Sequence, residues 1–146
     1  MKVNKILWPT DFSENSSKAL PYVASLSQLY GAAVHVLFVL EEMGPFGAWY
    51  GDFERSQVEE LLKLQKEKAE GHLEEICAQH LDGCPLYVRH TATGDPASEI
   101  LKLIDKEKPD LVVMSSRGKR GDFSLGSVAE KVVRHSPAPV LTVPVK

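Results

Sequence analysis

The fold is decided by residues 110–135, which read Asp-Leu-Val-Val-Met-Ser-Ser-Arg-Gly-Lys-Arg-Gly-Asp-Phe-Ser-Leu-Gly-Ser-Val-Ala-Glu-Lys-Val-Val-Arg-His. The unbroken apolar run 111–114 is typical of a strand buried on both faces of a parallel sheet. From Val128, apolar residues recur at Val132 and Val133 with charged residues between them, which is helical spacing. The stretch therefore predicts a strand, a loop and a helix in that order.

The loop between this strand and this helix combines glycine with positive charge. Its glycines and cations are Arg117, Gly118, Lys119, Arg120, Gly121 and Gly126. Glycine lets backbone N–H groups approach a ligand closely, and a helix N-terminus carries about half a positive charge. Such a unit favours an anion, most often a phosphate. It is neither a Walker A loop nor the Gly-x-Gly-x-x-Gly of dinucleotide folds, so an ordinary glycine-rich turn stays as the alternative.

Ser127 has two interpretations. Ser127-x-x-Glu130 has the spacing of a capping box, in which the serine hydroxyl accepts a hydrogen bond from its own helix. The backbone N–H groups at the helix start can still face a ligand, so capping and anion binding are compatible.

Length and charge limit the class of protein. The 146 residues are 43% hydrophobic and predict one domain, residues 1–146. Seventeen basic and twenty acidic residues give a net charge of −3, which disfavours nucleic acid and anionic membranes as partners. No apolar run approaches the roughly 18 residues of a membrane span, and Pro9 and Asp11 come too early for a signal-peptide core. These observations predict a cytoplasmic protein.

Two cysteines and a histidine have a superficially metal-like spacing. Cys77, His80 and Cys84 spell Cys-x2-His-x3-Cys. Zinc requires a fourth ligand and usually a compact knuckle, whereas Cys77 and His80 fall in a long predicted helix. We therefore expect buried, inert thiols and no metal site.

The rest of the chain alternates between strands and helices. The predicted strands are 5–8, 34–40, 86–90, 111–114 and 140–145, and the predicted helices are 14–30, 54–81, 96–108 and 128–135. Ser13 and Asp95 are the expected N-caps, and Pro21 is a possible kink in the first helix. This alternation predicts an α/β fold, a parallel sheet with right-handed crossovers and helices on both faces.

Two further features fall on or near the second strand. His35 interrupts its apolar run, and we expect it to be packed or hydrogen-bonded. The connection 41–53 that follows carries four aromatic residues, which fit either a binding segment or an aromatic cluster that attaches the loop to the next helix.

Ligands of such sheets bind beyond the carboxyl ends of the strands, where the strand order reverses. We call this edge of the sheet the rim. Two candidate segments lie there, Pro9-Thr10-Asp11 after the first strand and 115–127 after the fourth. If those two strands are neighbours, Asp11 faces the basic loop.

Three segments resemble the universal stress protein family. They are Ile-Leu-Trp-Pro-Thr-Asp-Phe-Ser at 6–13, Gly-Asp-Pro-Ala at 94–97, and Gly-Ser-Val-Ala-Glu-Lys-Val-Val-Arg-His-Ser-Pro-Ala-Pro-Val-Leu at 126–141. The resemblance covers essentially the whole chain. It implies an open, doubly wound, Rossmann-like sheet of order 3-2-1-4-5. It also implies homodimers and, in one branch of the family, bound ATP with Mg²⁺.

That ATP-binding branch is marked by Gly-x2-Gly-x9-Gly-Ser/Thr, from which this chain departs. Gly118 and the Gly126-Ser127 pair fit, but Ser115 stands at the first glycine position, and the spacer 119–125 is seven residues long. A Cβ at position 115 would crowd the ribose or phosphates, and a shorter loop wraps a triphosphate less fully. Against this, the cations of the loop can offset phosphate charge.

The resemblance also implies a set of site residues. They are Pro9, Thr10, Asp11, Val39, Met114, Ser115, Ser116, Arg117, Gly118, Lys119, Arg120, Gly126, Ser127 and Val128. Asp11 would contact the ribose or adenine end, Pro9 and Val39 the base, and the segments 117–120 and 126–128 the phosphates. Taken in isolation, Asp11 is nearly as well explained by a turn or capping role.

The resemblance leads to an adenine-nucleotide-binding regulator of the stress response that is not a dedicated catalyst and hydrolyses ATP slowly at most. The alternative is a homodimeric interaction protein of the same fold that binds no nucleotide. In either case the dimer would form through the last strand, at Val140, Leu141, Thr142 and Val143. Pro144 lacks a backbone donor, so this pairing should centre on 141–143.

Overall fold

The computed structural model describes residues 1–40, 55–81, 86–117 and 126–145, with side chains from residue 59 onward in the second range. The strands are β1 (Lys5–Thr10), β2 (Ala33–Leu40), β3 (Tyr87–Thr93), β4 (Leu111–Ser115) and β5 (Val140–Val143). The helices are α1 (Glu14–Ser17), α2 (Leu20–Tyr30), α3 (Arg55–His80), α4 (Pro96–Glu107) and α5 (Ser127–His135). The connection 41–53 and Cys84 lie outside the described residues, so the predictions made for them stay predictions.

The five strands form one parallel sheet of order β3-β2-β1-β4-β5, which confirms both the fold class and the expected order. The ladder between β1 and β2 runs from the Lys5–Ala33 pair to the Thr10–Phe38 pair. The order reverses between β1 and β4, which are neighbours at the centre of the sheet. This is the position at which doubly wound sheets bind ligands.

Helices cover both faces of the sheet. Alternate residues of a strand point to opposite faces, so Trp8 packs in one core cluster and Leu7 in the other. The Trp8 cluster includes residues of α2 and α3, whereas the Leu7 cluster includes residues of α4 and α5. The sheet is therefore doubly wound, as predicted. Among the described residues, no helix combines the length and apolar character needed to cross a membrane.

The prediction of one continuous helix over 14–30 is wrong. The chain forms α1 and α2 with a break at Lys18 and Ala19, and Pro21 lies in the first turn of α2. Proline has no N–H to donate to the preceding turn, so it fits the start of a new helix better than the interior of a long one. Ser13 does cap α1, because its hydroxyl accepts from the backbone N–H of Ser16 at 3.1 Å.

Two predicted strands have different bounds in the structure. β3 extends to Thr93 rather than ending at His90, because an edge strand with one solvated side tolerates the polar alternation that follows. β5 ends at Val143 instead of Val145, since Pro144 cannot donate a ladder hydrogen bond.

His35 is hydrogen-bonded, as expected. It is only 7% exposed, and its Nδ1 lies 2.8 Å from Nε2 of His90 on the neighbouring strand β3. This polar pair lies on the face covered by α4.

Candidate functional site

Pro9 in the central strand β1 limits the hydrogen bonding between β1 and β4 near the rim. Lys5 accepts a hydrogen bond from Asp110 on the β4 side, whereas Asn4 accepts one from Ala33 on the β2 side. Because backbone groups alternate in direction along a strand, Pro9 lies toward β4, where it has no N–H to donate. The β1–β4 pairing accordingly ends at Leu7 opposite Val112, whereas β1–β2 continues to Thr10. The pairing of the two central strands therefore stops before their carboxyl ends, and we call the position between those ends the crevice.

Three side chains of the rim lie on one face of the sheet. Val39 and Met114 both pack on the Leu7 cluster, and Met114 is 5% exposed. Pro9 is buried and, two residues after Leu7, points to the same face. The structure therefore places on one face the two residues predicted to contact a base, together with Met114, which was also a predicted site residue.

The turn after β1 is held by side-chain hydrogen bonds. Asp11 Oδ1 accepts from the backbone N–H of Ser13 at 2.9 Å and also from the Ser13 hydroxyl. Thr10 Oγ1 accepts from the N–H of Phe12 at 3.1 Å and shares a hydrogen bond of 2.9 Å with the hydroxyl of Ser16. Asp11 thus has the turn role that was the alternative for it, and this role fixes its carboxylate beside the crevice.

Phe12 is a feature of the rim that the sequence did not reveal. Its φ is 62°, in the left-handed region that non-glycine residues rarely adopt. Its ring lies between those of Phe38 in β2 and His72 in α3, with both centroid distances at 4.3 Å. These contacts hold a conformation that would otherwise cost on the order of 1 kcal/mol or more, and they fix the turn that carries Asp11.

We expect an unusual order of stability for substitutions of Phe12. Phe12→Ala loses the ring contacts and keeps the left-handed backbone, whereas Phe12→Gly loses the same contacts and relieves the backbone. The glycine variant should therefore be more stable than the alanine variant, by about 1 kcal/mol, which reverses the usual order in regular structure. Urea unfolding of the two variants measures the difference, and an alanine variant that is the more stable of the two would contradict the strained turn.

The end of β4 turns back on itself. The Ser115 hydroxyl donates to the carbonyl of Arg117 at 2.6 Å, and Ser115 is 7% exposed. Ser116 donates its N–H to Val143 at 2.8 Å and accepts from the N–H of Gly126 at 2.7 Å. Ser116 at the end of β4 and Gly126 at the start of α5 are therefore directly hydrogen-bonded to each other, beside the crevice.

The cationic part of the loop is described only at Arg117. Its guanidinium Nη1 lies 3.4 Å from the carbonyl of Val145, so Arg117 reaches toward the end of β5. Gly118, Lys119 and Arg120 lie outside the described residues, and their phosphate role stays a prediction.

The capping box at Ser127 is not formed. The N-cap of α5 is Gly126, so Ser127 and Glu130 stand one position too far along the helix. Glu130 instead pairs with Arg134 at 2.9 Å. A glycine N-cap has no side chain to accept from the first N–H groups, in contrast to Asp95 of α4, which accepts from Ser98 at 3.0 Å. The start of α5, which includes Val128, therefore presents its N–H groups without a side-chain cap from Gly126.

Of the three residues with superficially metal-like spacing, the structure describes Cys77 and His80. Cys77 is a thiol with 0% exposure in the Trp8 cluster, whereas His80 is exposed. Cys77 thus packs as a core residue.

Comparison with known proteins gives the same fold and one family. The model of the universal stress protein family matches residues 2–144. The universal stress protein MJ0577 of Methanocaldococcus jannaschii is 34% identical, over 95% of this chain and 93% of its own length. A solved structure of MJ0577 superposes with a TM-score of 0.87 at 32% identity and covers 100% of this chain and 99% of the other.

Two more distant structures share the fold and contain ligands. A universal stress family protein of Arabidopsis thaliana, solved with AMP bound, has a TM-score of 0.69 at 20% identity and covers 98% of this chain and 92% of its own. A universal stress protein solved in complex with cAMP has a TM-score of 0.64 at 20% identity and covers 99% and 98%. The extent of the family match, together with the identity to MJ0577, shows that the chain is a member of the universal stress protein family.

Proposed function

We propose that this protein binds an adenine nucleotide, ATP with Mg²⁺, at the crevice between β1 and β4, and that it acts as a ligand-dependent regulator in the stress response. The observation that carries the proposal is the glycine-capped start of α5, which lies beside that crevice because Gly126 bonds back to Ser116. A helix start without a side-chain cap favours a phosphate group. Family members that hold AMP and cAMP support an adenine nucleotide as the ligand.

Different residues of the rim suit the base, the ribose and the phosphates of the nucleotide. Pro9, Val39 and Met114 offer an apolar surface on one face of the sheet, which suits the adenine base. Both hydrogen bonds from Ser13 go to Oδ1 of Asp11, so the second carboxylate oxygen suits a ribose hydroxyl. The phosphates would follow toward Gly126 and the basic loop.

The proposed role is binding and not rapid catalysis. Among the described residues of the rim, the hydroxyls of Thr10, Ser13 and Ser115 take part in hydrogen bonds with Ser16, Asp11 and the backbone. None of these bonds pairs a hydroxyl with a histidine, and the Asp11 oxygen that accepts from the Ser13 hydroxyl also accepts from the Ser13 N–H as part of the turn. Slow hydrolysis of ATP remains compatible with such a site.

Calorimetric titration of the purified protein with ATP and Mg²⁺ tests the proposal. We expect 1:1 binding, together with a rise in thermal stability; at a ligand concentration one hundred times Kd the stabilisation is about 2.7 kcal/mol. GTP with Mg²⁺ is the matched control for the base and should bind more weakly. Absence of both heat and thermal shift at millimolar ATP and AMP would refute nucleotide binding.

A second candidate function is that of a homodimeric interaction protein without nucleotide. The supporting observation is β5, an edge strand whose outer side pairs with no strand among the described residues and whose Leu141 is 38% exposed. Apolar edge strands are usually covered or paired, and pairing with a second copy about a two-fold axis gives a closed contact. The dimer is compatible with either function.

A further inference from the structure

Two imidazoles and a carboxylate converge away from the rim. One potential ligand atom from each of His35, His90 and Glu107 lies within 4.8 Å of the other two. The planes of the two imidazole rings are 17° apart, and Nδ1 and Nε2 face each other at 2.8 Å. These groups take no part in the proposed nucleotide site.

The topology explains why these three residues meet. His35 pairs with Val88 across the β2–β3 ladder, so His90 lies two residues further along β3 and on the same face of the sheet. Glu107 is the last residue of α4, which crosses that face from the rim to the amino ends of the strands. The cluster therefore lies near the end of α4 remote from the rim.

We propose that His35, His90 and Glu107 form a binding site for a first-row transition metal ion such as Zn²⁺. Two imidazole nitrogens and one carboxylate are a donor set that zinc prefers, and three protein ligands leave a fourth position for water. His35 is 7% exposed, whereas His90 and Glu107 are half-buried, so part of the cluster is accessible from solvent.

Binding requires a change of tautomer without net loss of a proton from the rings. In the His35–His90 hydrogen bond, one of the two facing nitrogens carries the shared hydrogen, and the other accepts it. To ligate a metal, both facing nitrogens must offer lone pairs, so that hydrogen moves to the other nitrogen of its own ring. Burial lowers the pKa of both imidazoles.

Lys5 forms an ion pair with Glu107 in the metal-free protein. Its ammonium lies 3.3 Å from Oε2 of Glu107 and donates to the Glu107 carbonyl at 2.8 Å. The pKa of Glu107 is lowered, first by this side-chain hydrogen bond from Lys5. A metal ion and the ammonium therefore compete for the same carboxylate, and removal of the ammonium should strengthen metal binding.

Because of this competition, some substitutions should lower the zinc affinity and another should raise it. Untagged protein, dialysed against EDTA and then into a non-chelating buffer, is titrated with ZnCl₂ in a calorimeter. We expect one ion per chain, with affinity reduced at least about tenfold by His90→Ala and by Glu107→Gln. Lys5→Met, which keeps the apolar stem, should increase the affinity severalfold. The matched control His135→Ala removes an exposed histidine outside the cluster and should change nothing.

Further measurements separate the site from folding and from nucleotide binding. Circular dichroism and thermal unfolding without metal confirm that each variant folds. Co²⁺ should give visible absorption typical of nitrogen and oxygen ligands in the wild type, and this absorption should be lost in His90→Ala. ATP binding should be unchanged by His90→Ala, because the two sites lie at opposite ends of α4. Zinc affinity that survives the loss of both His90 and Glu107, or that Lys5→Met leaves unchanged, would overturn the proposal.

Discussion

Val143→Lys is expected to lower the free energy of unfolding of the individual chain by on the order of 4 kcal/mol or more. Val143 is 4% exposed and packs in the cluster that contains Trp8 and Val113. A lysine there must either bury its charge or lose its proton, and shifts of three to five pKa units at buried lysines correspond to about 4–7 kcal/mol. Since whole domains are stable by only about 5–15 kcal/mol, most of the stability would be lost.

Leu141→Lys is the matched control, and it is also the correct probe of the dimer. Leu141 lies two residues before Val143 on the same face of β5, but it is 38% exposed. We expect its replacement to change the stability of the monomer by no more than about 0.5 kcal/mol and to shift the dimer toward monomer. Val143 belongs to the segment 141–143 on which the dimer pairing was expected to centre. Its burial within one chain makes it unsuitable for that test.

Urea unfolding and analytical ultracentrifugation together decide these points. A Val143→Lys variant as stable as the wild type would contradict the packing of β5. Wild-type protein that is monomeric at tens of micromolar would refute the dimer, and a dimer unaffected by Leu141→Lys would place the interface elsewhere.

Gly126→Val should strongly weaken nucleotide binding and leave the fold intact. The backbone of Gly126 has φ −60° and ψ 150°, which any residue adopts, so valine costs only about 1 kcal/mol for a poorer N-cap. Its branched side chain would stand at the helix start that faces the proposed phosphate position. We expect affinity for ATP with Mg²⁺ to fall on the order of a hundredfold, equivalent to about 2.8 kcal/mol.

Gly71→Val is the control for this experiment. Gly71 lies in α3, where a Cβ would meet no heavy atom within 4 Å, and it is exposed. Nucleotide affinity should be unchanged there. Retained binding in Gly126→Val would remove the helix start from the site, and unfolding of that variant would assign the glycine a purely structural role.

Local patterns in the sequence were sufficient for most of the fold. Apolar runs located all five strands, and the alternation of strands with helices predicted the parallel sheet with helices on both faces. The break between α1 and α2 was missed, because Pro21 was read as a kink within one helix. The strand order came from the family resemblance, since periodicity alone does not distinguish one order of neighbours from another.

The site was predictable in outline and not in detail. The motif placed Thr10, Asp11 and Ser115 at one edge, but the left-handed turn at Phe12 depends on Phe38 and His72, which are distant in sequence. The cluster of His35, His90 and Glu107 escaped notice for the same reason. Residues so far apart along the chain become neighbours only when the register of β2 and β3 is known.

The hydrogen bond between Ser116 and Gly126 has a consequence for how the loop 117–125 can change length. Nine residues separate Ser116 from Gly126, and the hydrogen bond of 2.7 Å from the Gly126 N–H to the Ser116 carbonyl fixes the two ends of this segment. Insertion of two residues, which restores the spacing of the ATP-binding branch, would add only about 0.2 kcal/mol of closure entropy. β4 and α5 would keep their positions. We therefore expect that the loop of another family member can replace this one without a change in the rest of the fold.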